Sequence, residues 1–199
     1  MRICTEASHH FRRRIVTFFA VGVCAMAGIL CFLWLPTTPV KTPPLKERLR
    51  SELVLRDGCL LDHGTPFTGA VLECYENGQM KSRSGVSNGL LEGLSEGWFT
   101  NGELQVSEYF TKGVSNGLRT KYHENGKKLS EANVATGTID GLYQRWHENG
   151  ILAERVHLIN GVPDGEAASY FPDGSLKAQV RLDHGTVVEQ RFAKRGEPR

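Results

Sequence analysis

After residue 68 apolar and polar positions alternate through most of the chain, and glycine interrupts the alternation at fixed intervals. Glycines stand at 78, 102, 126, 150 and 174, at 69, 93, 117, 141 and 165, and at 89, 113, 137, 161 and 185. Each series steps by 24 residues, so a unit is copied five times, at 69–92, 93–116, 117–140, 141–164 and 165–188. In the fourth unit Leu142, Trp146, Leu152, Val156 and Leu158 all take even positions, the period-2 mark of a strand with one buried face. Glycine recurs too often for uninterrupted helices. Asn77-Gly78, Asn101-Gly102, Asn125-Gly126, Asn149-Gly150 and Asp173-Gly174 carry a dipeptide that favours a hairpin turn with positive φ at both residues. Asn160-Gly161 and Asp164-Gly165 are expected to make tighter connections between hairpins.

One hairpin per unit predicts an all-β fold, an elongated single sheet of stacked antiparallel hairpins. Ten strands at about 4.8 Å each would extend on the order of 45 Å. The even face is expected to be buried. The odd face, carrying Tyr75, Tyr143, Arg145, His147 and Arg155, is expected to be the solvated contact surface.

The segment before the repeats reads differently. Residues 15–35, IVTFFAVGVCAMAGILCFLWL, are 21 positions without a charge, enough for a transmembrane helix. Two other readings compete. Ala25-Met26-Ala27 would suit a signal-peptidase site, but cleavage there would leave an apolar mature N-terminus. Cys24 and Cys31 follow Val23 and Leu30, where a lipoprotein signal needs a small residue. Arg12, Arg13 and Arg14 abut the apolar run, which places residues 1–14 in the cytoplasm and the repeats outside it, periplasmic or extracellular. Residues 36–52 read as a proline-rich linker and juxtamembrane segment, with Leu45 to Leu55 able to form a short helix. The repeat domain spans 53–188 and a C-terminal cap and tail 189–199. Leu61-Asp62-His63-Gly64-Thr65 echoes Leu182-Asp183-His184-Gly185-Thr186, which suggests a degenerate half-unit ahead of the first repeat.

Charge narrows the function classes. Residues 36–199 hold 20 basic and 21 acidic side chains, so a nucleic-acid partner is not expected, and net charge gives no indication of lipid head groups as ligands. No P-loop or Gly-x-Gly-x-x-Gly motif is present. His123 and His147 share one repeat position, but Tyr75, Phe99 and Phe171 fill the same slot, which favours ring packing over metal. Glu76, Glu124 and Glu148 sit beside turns, where solvated acids are ordinary. Cys59 and Cys74 could form a disulfide in an oxidising compartment. Repetition supplies copies of one residue rather than the dissimilar groups of a catalytic site, so no enzyme and no cofactor are expected.

The pattern G-L-x-x-x-[WY]-[HF]-E-N-G-x-L…V-x-N-G-x-x-D-G, best kept in GLYQRWHENGILAERVHLINGVPDG (141–165), resembles the MORN-repeat variant family. The resemblance covers about 69–188. Unit one departs from it with Cys74 in the aromatic slot, and unit five with Phe171-Pro172-Asp173-Gly174. It implies stacked β-hairpins that act as scaffolds or binding surfaces. Some bacterial relatives are described as antitoxins or immunity-like proteins, and eukaryotic ones have been linked to membranes and phospholipids. The resulting expectation is a membrane-anchored, single-pass, non-catalytic module with a protein partner. The alternative is an immunity-like protein that neutralises a toxin.

Overall fold

A computed structural model describes residues 46–192. The expected membrane span at 15–35, the residues before it and the prolines at 36–44 lie outside the described residues, as do 193–199. Among the described residues no helix is long and apolar enough to cross a membrane.

The strands are β1 Glu47–Leu49, β2 Val54–Arg56, β3 Cys59–Asp62, β4 Thr65–Pro66, β5 Gly69–Cys74, β6 Met80–Ser87, β7 Leu90–Trp98, β8 Leu104–Thr111, β9 Val114–Tyr122, β10 Lys128–Ala135, β11 Thr138–Trp146, β12 Leu152–Ile159, β13 Val162–Tyr170, β14 Leu176–Asp183 and β15 Thr186–Phe192. Twelve of them form one sheet in the order β1-β5-β6 and then consecutively to β15, while β2, β3 and β4 form a second. Every neighbour is antiparallel except β1, which lies parallel to β5. The five expected hairpins are β5–β6, β7–β8, β9–β10, β11–β12 and β13–β14, with β1 and β15 added at the ends.

The two ends of each hairpin use different turns, and the assignment differs from the expectation. At Asn77-Gly78 only the glycine has positive φ, 82°. The Gly78 N–H donates to Tyr75 O at 2.9 Å and the Tyr75 N–H to Gln79 O at 2.9 Å. This is a three-residue loop closed by a left-handed glycine, not the two-residue turn expected there. The same geometry recurs at Gly102, Gly126, Gly150 and Gly174. Positive φ at both residues appears at the opposite ends, in Asn88-Gly89, Lys112-Gly113, Thr136-Gly137, Asn160-Gly161 and His184-Gly185. Gly165 is not in a turn. It lies inside β13 at φ 84°, where the register with β12 shifts between Val156 and Leu158.

The first unit is covered by the small sheet. Leu53, Leu60 and Phe67 pack with Val71 and Val86 into the one apolar cluster of the described residues, with Leu91 against it. Leu60 N–H donates to Gly89 O at 2.8 Å and Gly89 N–H to Phe67 O at 2.7 Å, which ties the cap to the first two-residue turn. A Cβ on Gly89 would run into Cys59 Sγ and Leu60 O. The half-unit inferred from Leu61-Asp62-His63-Gly64-Thr65 is present, because His63 and Gly64 take φ 51° and 82° against 48° and 81° in His184 and Gly185. No α-helix forms over 46–55, the described part of the segment expected to be helical. Residues 50–52 make a 3-10 turn between β1 and β2. The sheet therefore begins within the expected linker and runs beyond residue 188.

Candidate binding surface

The rim formed by the Asn-Gly loops is knitted from unit to unit. Each turn asparagine or aspartate accepts, through its side-chain oxygen, the N–H two residues on, from Gln79, Glu103, Lys127, Ile151 and Ser175 at 2.9–3.0 Å. The amide nitrogens of Asn101, Asn125 and Asn149 donate to Glu124 O, Glu148 O and Pro172 O, one unit further along. Asn77 turns its amide to Gln79 Oε1 instead. Asp173, in the last unit, keeps the acceptor and has no amide to donate. The neighbouring slot repeats the logic. Tyr75 donates its hydroxyl to Trp98 O at 2.6 Å, and His123 and His147 meet Trp146 O and Tyr170 O through Nε2 at 3.0 Å. A carbonyl only accepts, so Nε2 carries the proton. This slot is a hydrogen-bonded staple at units one, three and four, more than the ring-packing position expected, and both imidazoles are engaged by backbone.

The opposite rim is capped by side chains of which the sequence reading had marked only Asp164, and that as a turn residue. Thr68 Oγ1, Glu92 Oε2, Asp140 Oδ1 and Asp164 Oδ1 accept the N–H of Asn88, Lys112, Asn160 and His184, each 20 residues on. Their signal was available, since each precedes a glycine of the 69–165 series. Asp164, Asp183 and His184 bring ligand atoms within 4.8 Å of one another, a set with metal-ligating chemistry. Its contacts are accounted for by the turn, as Asp183 Oδ1 meets His184 Nδ1 at 2.7 Å and Asp164 takes the His184 N–H. Asp183, and secondarily Asp164, raises the His184 pKa from its ordinary value. Glu76, Glu124 and Glu148 are exposed at the loop tips, with nothing to desolvate them.

The two faces do not divide as expected. Opposed residues of an antiparallel pair share a face. Leu142, Gln144 and Trp146 alternate onto one face, and Trp146 pairs with Leu152. Ala153 has no partner in that ladder, so the alternation of β12 reverses and Val156 joins Tyr143 on the other face. Of the expected contact residues, Tyr143 and Arg145 lie together, with His147 following in the same alternation and Tyr75 at the equivalent place in unit one. Arg155, opposite Gln144, is on the other side. Tyr75, Tyr143 and His147 are half-buried, and Arg145 pairs with Glu154 at 3.2 Å. Neither face is a continuous core, because Ala132 and Val134 are buried on one and Thr120 and Ala168 on the other.

The Cys59–Cys74 bridge that the sequence left open does not form. Cys59 is a free thiol whose Sγ lies 3.7 Å from Asn88 O, at the two-residue-turn end. Cys74 ends β5 opposite Met80, near the Asn-Gly loop. The length of a six-residue strand, about 17 Å, separates those ends, whereas a disulfide needs Cα atoms within roughly 7 Å.

What the structure adds is a row of side chains, one per strand from β7 to β12. Leu94 opposes Tyr109, Leu118 opposes Asn133 and Leu142 opposes His157. A Cβ on Gly117 would lie 3.3 Å from Tyr109 Cβ, and one on Gly141 would lie 3.7 Å from Asn133 Nδ2, which links the three pairs. Leu94, Tyr109, Leu118 and Leu142 are 38%, 47%, 45% and 46% exposed. The row spans about 24 Å over five strand spacings. Period-2 counting had assigned Leu142 to a buried face.

Residues 115–135 and 139–160 match the MORN repeat variant. Both matches fall on units three and four. The matched stretches are the β9–β10 and β11–β12 hairpins, where the turn staples and the leucine row are both present. No curated protein matches the chain. Two solved structures resemble part of it at 11% identity. One is a mutant of S. aureus TarM in complex with fondaparinux, α-GlcNAc-glycerol and UDP, at TM-score 0.31 over 45% of this chain and 18% of that one. The other is TarM, at 0.32 over 49% and 19%. The chain thus matches less than a fifth of either, and neither likeness bears on function. MORN-variant repeats point to a repeat module for protein or membrane binding.

Proposed function

We propose that this is a non-catalytic, protein-binding scaffold module held at a membrane by residues 15–35, with the repeats outside the cytoplasm. The observation that carries the binding role is the exposed row of Leu94, Tyr109, Leu118 and Leu142 on a sheet one layer thick. Apolar side chains repeated at this spacing on a solvated face are the form in which solenoid proteins offer an extended contact surface. The flanking Asn133 and His157 supply polar contacts at the ends of the same rungs. Asp, Glu, Lys and Arg are distributed in near balance, which favours a protein over an anionic lipid surface as the partner.

The test compares the full chain with Leu118→Glu/Leu142→Glu in quantitative affinity capture, with far-UV circular dichroism of both. A protein bound by the parent and lost from the correctly folded variant supports the reading; identical capture by both removes the row as the contact surface. Deleting residues 15–35 should move the chain from the membrane to the soluble fraction, and retention at the membrane would dismiss the anchor.

A further inference from the structure

The two ends of the long sheet are finished differently. At the N-terminal end β5 is flanked by the three-residue β1, and the small sheet lies beside it. At the C-terminal end β15 pairs with β14 on one side, and among the described residues nothing pairs with the other. All seven residues of β15 are exposed, with Val187, Val188 and Phe192 at 50%, 57% and 70%. Such an edge presents free N–H and C=O groups along its length and is a template for another strand. It differs from the stacked hairpins in having no loop residue that staples it onward.

The sequence of that edge is complementary to itself. Laid antiparallel about Gln190, the regular stretch from Glu189 sets Glu189 against Arg191 twice and Gln190 against its own copy, while Val188, skipped in the ladder with β14, falls at the margin opposite Phe192. Glu189 opposes Arg181 and Arg191 opposes Gln179 in the present ladder, so the two charges already share a face and would meet their opposites there. Shifting the axis to Glu189 would put like charges face to face. We propose that β15 pairs with β15 of a second copy of this chain about a two-fold axis at Gln190, joining two twelve-stranded sheets into one ribbon.

The full chain in detergent micelles, followed by sedimentation over a concentration series, tests this. The parent is expected to be a dimer at high concentration. Glu189→Arg should weaken the dimer by about tenfold or more, and Glu189→Arg/Arg191→Glu, which restores opposite charges in the same register, should recover it. Gln190→Cys should give an oxidised intermolecular dimer above the level of the parent, whose five cysteines set the background, and Thr186→Cys should not. A parent that stays monomeric overturns the proposal, as does a dimer that Glu189→Arg leaves unchanged, since the contact would then lie elsewhere. Circular dichroism of Glu189→Arg separates loss of pairing from loss of fold, and the recovery in the double variant does so independently.

Discussion

The side-chain amide of Asn125 donates to the backbone carbonyl of Glu148 at 2.9 Å, while the oxygen of the same amide accepts the Lys127 N–H at 3.0 Å. One residue therefore shapes its own loop and ties that loop to the next unit. Asn125→Asp keeps the acceptor, loses the donor and turns a charge toward a carbonyl. It should cost about 1 kcal/mol, and Asn125→Ala, which loses both bonds, should cost more. Equilibrium urea denaturation measures this. Equal stability of the parent and the aspartate variant would show that the link between units contributes nothing.

Thr136 stands in a two-residue turn at φ 48°, a left-handed conformation that a β-branched residue adopts at a cost. The equivalent residues in other units include Asn88 and Asn160, the type best suited to it. Thr136→Asn should stabilise by about 1 kcal/mol, and Asn160→Thr should destabilise by a similar amount. Thermal melts of the pair should move in opposite directions.

Asp62 is buried between the cap and the start of the sheet. Lys46 Nζ at 2.5 Å is the largest influence on its carboxyl and His63 Nδ1 at 2.7 Å the next, and together they lower its pKa from 3.8 to about 2. The folded state binds this proton less readily than the unfolded chain. The stabilisation is thus present above pH 3.8 and is lost as the pH falls toward 2. Asp62→Asn should lower the melting temperature at neutral pH, and the gap between variant and parent should narrow across that acid window. A gap independent of pH would mean that the carboxylate's charge is not what holds the cap.

His147 gives Tyr170 O a hydrogen bond through Nε2, as the Tyr75 hydroxyl gives one to Trp98 O. Long-range proton–nitrogen NMR should find the neutral ring protonated at Nε2. His147→Phe should cost about 1 kcal/mol, whereas His147→Tyr should retain much of the stability because its hydroxyl reaches the same carbonyl. A ring protonated at Nδ1 alone would contradict the contact.

Much of the fold was legible because the information was local and repeated. The 24-residue glycine period marked the five hairpins, and the echo around His63-Gly64 marked the half-unit in the cap. Which turn sat at which end was not legible. Asn-Gly favours both the two-residue turn and the three-residue loop, and choosing between them depends on strand register. The leucine row was missed because alternation assigns a face but not its burial: Leu142 shares the face of Trp146 and is still 46% exposed. Ala153 stands unpaired and Gly141 has φ 110°, so residues of equal parity in β11 and β12 part company. The Cys59–Cys74 pairing was open in sequence because composition carries no distances, and the length of β5 rules it out.

By itself the sequence determined the all-β class, the five hairpins and the reversals at their Asn-Gly and Asp-Gly loops, since glycine at positive φ and the alternation of side chains act within a few residues. Only the tertiary structure decided which face each side chain occupies, which apolar residues remain in solvent and how one unit's turn holds the next. Those outcomes depend on ladder register and bulges, and a single unpaired residue is enough to carry everything after it to the other side of the sheet.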